Sequence, residues 1–99
     1  FATTPEALAN HLALFEIDLR EPDFHRLALD HAEGMRAQIH SILDAAVAAG
    51  ELERCDTARL ARAVQVTFNG TLLTWAVHRE GAVQAWVADD LDYLLSRAR

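Results

Sequence analysis

Ninety-nine residues make one domain, and at this size folding hides only about 60–65% of the surface that the unfolded chain exposes. With 52% hydrophobic residues against 24% charged, so thin a core leads us to expect a second buried surface shared with another subunit. Fifteen acidic residues outweigh nine basic ones, all arginine, for a formal charge of −6, and no stretch concentrates the positive charge that phosphate backbones or anionic lipid surfaces attract.

Alanine, leucine and arginine dominate, and no alternating β-branched segment appears, so every element is expected to be helical. Thr4 followed by Pro5 is a hydroxyl cap and a first-turn proline, after which Leu8, Leu12, Phe15 and Leu19 recur at helical spacing. This first helix should stop near Arg20, because Pro22 disfavours a helical Glu21. Pro22 can itself open a second helix whose apolar line runs Phe24, Leu27, Ala28, His31, Met35, Ile39, Ile42, Leu43 and Ala46 until Gly50, a left-handed stop. Gly34 in its middle marks either a bend or a close approach. Asp56 or Thr57 caps a third helix reaching about Arg79 and ended by Gly81, and a fourth extends from about Ala82 to Ser96.

The third helix is apolar on two sides. At 100° per residue, Leu60, Val64, Phe68, Leu72 and Trp75 form a core stripe, while Ala63, Val66, Gly70, Leu73 and Val77 lie nearly opposite. Arg62, Gln65 and Asn69 are confined to a narrow wedge between them. On the fourth helix Val83, Val87, Leu91, Leu94 and Leu95 make a core stripe flanked by Trp86 and Tyr93, an apolar arc of about 200° where an amphipathic helix needs about 100°. A helix in a one-layer bundle needs a single apolar face, so the expected interface with a second copy comprises Ala63, Val66, Gly70, Leu73, Val77, Trp86, Asp90 and Tyr93. Asp90 lies toward the apolar arc and is placed to meet an arginine across it. Two alternatives stay open: a small bundle wrapped around its third helix, or an upstream segment covering the second face.

Chemistry-bearing motifs are absent. Cys55 is the only cysteine, which fits a reducing compartment and leaves no thiolate cluster; beside Arg54 it is either an inert surface thiol or a redox sensor. His11, His25, His31, His40 and His78 include no pair at i, i+4, so no metal is expected. No phosphate loop, nucleophile elbow or paired carboxylates point to an enzyme, and no cofactor is implied. No apolar run reaches the roughly 20 residues that span a bilayer, and no secretory signal is present, so a soluble, cytoplasmic protein is expected.

The order of features resembles the C-terminal domain of TetR-family transcriptional regulators. The likeness is carried by EPDFHRLALDHAEGMRAQIHSILDAAVAAGEL (residues 21–52), a proline-initiated long helix ending Ala-Ala-Gly-Glu-Leu, by DTARLARAVQVTFNGTLLTWAV (residues 56–77), and by a last helix ending LDYLLSRAR. Asp56, Leu60, Ala61, Gly70 and Trp75 fall where such proteins typically show an Asp, a Leu-Ala pair, a glycine and a large apolar residue.

The resemblance implies an all-α domain of about four antiparallel helices. The last two would dimerise as an intersubunit four-helix bundle, and the first three would enclose a small apolar effector. Their facing stripes nominate His11, Phe15, Phe24, His31, Met35, Phe68, Asn69 and Trp75 as lining, each of which is equally an ordinary core position. No helix-turn-helix segment is present, and the chain starts at Phe1 rather than Met. Residues 1–99 are therefore expected to form a single effector-binding and dimerisation domain of a repressor, with operator DNA contacted only through an N-terminal domain outside them. The competing expectation is a small helical interaction module without ligand.

Overall fold

The computed structural model describes residues 2–99, and among them it contains four helices and no strand. Thr4 Oγ1 accepts a hydrogen bond from the Ala7 amide at 3.1 Å, and Pro5 presets the φ of the first turn, so α1 runs Pro5–Arg20. Pro22 holds Glu21 in an extended conformation, φ −91° and ψ 121°, and this one residue separates α1 from α2 (Pro22–Ala48). The far end of α2 closes as a Schellman motif. Gly50 adopts φ 77°, its amide reaches the Val47 carbonyl at 3.1 Å, and the Glu51 amide reaches that of Ala46 at 2.9 Å. Gly34 lies within the continuous α2, and a Cβ placed there would meet nothing within 4 Å, so none of the described residues makes a close approach at that point.

Asp56 caps α3 (Thr57–His78) by accepting the Arg59 amide at 3.0 Å. Its other end differs from expectation. Arg79, not Gly81, takes the first left-handed position, with φ 56°, its amide bonded to the Trp75 carbonyl at 2.7 Å and its Nε to the Ala76 carbonyl at 3.1 Å. The guanidinium satisfies a last-turn carbonyl that glycine would leave to water, and Gly81, at φ 72°, continues the turn into α4 (Val83–Ser96).

Successive helices are neighbours: α1 packs on α2, α2 on α3, and α3 on α4, while α1 also touches α3. The Cα envelope measures 40 × 35 × 14 Å. Four helices at the usual 8–10 Å spacing span roughly 30–35 Å, so the molecule is a flattened slab whose smallest dimension is less than half of either other one. Its radius of gyration, 15.1 Å, exceeds the roughly 13 Å of a rounded domain of this length.

The best-covered part of the slab is one corner. Leu43 of α2, Leu52 of the connection and Ala61 of α3 are buried there, with Ile39, Ala46, Val47, Leu60, Leu95 and Ala98 packed against them. The Glu53 amide donates to the Ala98 carbonyl at 2.7 Å, fastening the end of α4 to the α2–α3 connection. Thr57 bonds Asp44 and lies 3.0 Å from His40 Nε2, tying α3's first turn to α2. Elsewhere cover is incomplete. Of the expected α3 core stripe only Trp75 is buried, with Leu60, Val64, Phe68 and Leu72 half-buried, because a slab meets solvent above and below. Along α2, Ala28, Ile39 and Ala46 are half-buried and Leu43 is buried, whereas Phe24, Leu27, His31, Met35 and Ile42 are exposed.

Candidate functional site

Two polar ties orient α3 and so decide which of its faces remains free. Gln65, on the α2 side, is buried; its Nε2 donates to the Ala32 carbonyl at 3.0 Å and its Oε1 accepts from Arg36 Nε at 2.9 Å. On the α4 side Thr71 Oγ1 lies 2.7 Å from Asp90 Oδ2 and 2.7 Å from the Thr67 carbonyl, so its single proton serves one of two acceptors. Asp90 is thus engaged within the chain, a role the sequence did not suggest. With Ala61 and Trp75, these residues take one half of the helix circumference.

The opposite half points away from both neighbours. Val77 is 82% exposed and Val66 62%, with Leu73 also open to solvent and Ala63 and Gly70 half-buried between them. A Cβ built on Gly70 would meet nothing within 4 Å among the described residues, so none of them presses on the stripe there. On α4, Tyr93 is exposed and carries the Arg97 guanidinium 5.0 Å from its ring centroid. Trp86 is half-buried, its indole N–H held by the Glu80 carbonyl at 2.6 Å and its ring 5.7 Å from that of His78. Since α3 and α4 form an antiparallel hairpin tied by Thr71 and Asp90, their wheels put Trp86 and Tyr93 on the same side as the α3 stripe. All but Asp90 of the residues expected at an interface thereby share one apolar surface.

The residues nominated for a pocket are dispersed by comparison. His11, Phe15, Phe24, His31, Met35 and Asn69 are exposed and Phe68 is half-buried. Trp75 is buried, but its indole N–H donates to the Gly81 carbonyl at 3.0 Å, which turns it to the α3–α4 connection. His31 and Met35 come together, with Gly34 and Gln38, in an open depression along α2. A second open groove, which the sequence did not suggest, lies at the packed corner among Arg54, Cys55, Leu60, Leu94 and Arg97. Cys55 is exposed. Among the described residues no three His, Cys, Asp or Glu side chains are grouped to hold a metal ion, and no helix is long and apolar enough to cross a membrane.

Residues 11–91, more than four-fifths of the chain, match the family model described as tetracyclin repressor-like, C-terminal domain. No curated protein and no solved structure matches the chain.

Proposed function

The chain belongs to this family of tetracyclin repressor-like C-terminal domains, whose members are regulatory, and on that premise we propose that it is the effector-binding and dimerisation domain of a cytoplasmic TetR-like repressor. The observation that carries the reading is the apolar face of α3 and α4. Covering Val66, Leu73 and Val77 is worth roughly 1.5–3 kcal/mol for each side chain, and a slab this thin has no element of its own to do so. A second copy supplies the cover, making a four-helix arrangement from two α3–α4 hairpins.

In this reading a small apolar effector is held on the α1–α2–α3 side, where Phe15, Phe24, His31 and Met35 offer aromatic and thioether surface with few polar groups. The effector shifts the population of two dimer arrangements through its different affinity for each, and a separate helix-turn-helix domain reads the result at operator DNA. The chain itself, at a formal charge of −6, repels DNA. One observation favours a second reading, an interaction module without ligand: the depression around His31 and Met35 is open rather than enclosed.

Sedimentation equilibrium separates dimer from monomer. Titration of apolar small molecules against the emission of Trp75 and Trp86 then separates the two readings. A saturable shift supports the effector domain, and a flat response across a chemically broad panel leaves the interaction module.

A further inference from the structure

We propose that the groove at the packed corner is a second small-molecule site, one that takes an amphipathic carboxylate, a single acid group carrying a short apolar tail. The groove shares no lining residue with the His31–Met35 depression, so it is a site apart from the effector side described above.

The groove lies where the α2–α3 connection meets the end of α4. It holds about 260 Å³, below the roughly 300–1,000 Å³ of pockets that take drug-sized ligands, so its occupant is small. Leu60, Leu94 and Ala98, each half-buried, line it with apolar surface. Leucine and alanine alone would take any small oily group, and two arginines narrow the choice.

Arg54 comes from the connection and Arg97 from the turn that ends α4, and both are exposed in the lining. Neither guanidinium is ion-paired among the described residues, whereas Arg99 bonds Asp92 at 2.9 Å. Arg97 is held by a neutral partner instead: its Nη2 donates to the Tyr93 hydroxyl, and its guanidinium sits 5.0 Å from that ring's centroid. Stacking positions the group and leaves its charge unanswered. Of the carboxylates close by in sequence, Asp56 turns to the Arg59 amide and Glu53 lines the groove. Two arginines against one glutamate leave the lining positive in a chain of −6. Guanidinium forks match a carboxylate through paired N–H bonds, and an acid group between Arg54 and Arg97 with its tail along Leu60 and Leu94 uses both halves of the lining.

The test titrates octanoate, methyl octanoate and inorganic phosphate against the isotope-labelled chain while amide chemical shifts are followed. Octanoate is expected to saturate with shifts centred on Arg54, Cys55, Leu94 and Arg97, and to protect the exposed Cys55 thiol from alkylation. Shortening the acid should weaken binding about three- to fourfold for each buried methylene removed. Methyl octanoate keeps the tail without the charge and should bind at least tenfold more weakly. Arg54→Gln with Arg97→Gln should cost octanoate the same factor and leave methyl octanoate unchanged, with the circular dichroism of the wild type. Glu53→Gln, which keeps the backbone bond to Ala98, should tighten octanoate because it removes the opposing charge. Octanoate that binds the double variant as tightly as the wild type, or phosphate that binds as tightly as octanoate, would overturn the site. Shifts confined to α1 and α2 would overturn it as well and put the ligand on the effector side, so the two readings fail separately.

Discussion

At the level of single side chains, the slab is held in shape by a few polar contacts that bridge helices. Thr71 and Asp90 are the clearest pair, a half-buried carboxylate within hydrogen-bonding distance of a hydroxyl whose one proton it shares as a target with the Thr67 carbonyl. Thr71→Val keeps the shape and removes the donor, so we expect a loss of about 1–3 kcal/mol by urea unfolding. Adding Asp90→Leu should return most of it, because two apolar partners leave no unsatisfied group. The opposite sign is expected at Arg79, whose φ of 56° a residue with a Cβ tolerates poorly. Arg79→Gly should stabilise the chain by up to about 1 kcal/mol, read as a raised thermal midpoint, less whatever the Arg79 contact with the Ala76 carbonyl contributes.

Among the helices, the ends were legible in the sequence where their causes are local, the C-terminal end of α3, closed by Arg79 rather than Gly81, being the exception. Thr4 with Pro5, Pro22, Gly50 and Asp56 each act within one turn, and each stands at the boundary where it was expected. Asp56→Ala should accordingly cost about 1 kcal/mol, measured as lost stability with no change in helix count. What covers each face was less legible. Periodicity says that a side of a helix is apolar, not what lies against it, so Phe24, Leu27, Met35 and Ile42 of α2 read as core and prove exposed while Leu43 is buried. Gln65 failed to show itself for the complementary reason. It stands in a narrow polar wedge between two apolar lines, and the groups it bonds, Arg36 and the Ala32 carbonyl, are 29 and 33 residues away. The second face of α3 was readable because it departs from the rule of one apolar face per helix; the lining of a pocket is harder to read, because a pocket is a relation among elements and leaves no periodicity of its own.

For the molecule entire, thinness governs stability. Leu43→Ala removes a side chain from the packed corner and should cost about 2–5 kcal/mol, an amount that can unfold a small domain. If two copies cover each other, the thermal midpoint of the wild-type chain rises with protein concentration, and Val66→Asp with Leu73→Asp abolishes that rise while leaving the far-ultraviolet circular dichroism of the folded monomer. The hydrogen bond from Glu53 to Ala98 has a mechanical corollary. A latch between the tail of the last helix and the linker at the base of α3 makes those two segments move as one body, so α4 cannot pivot without dragging the linker along. Exchange of the Glu53 amide with deuterium is then a gauge of that pivot, slow while the latch is shut and quickening whenever a bound molecule or a neighbouring subunit pries α4 loose.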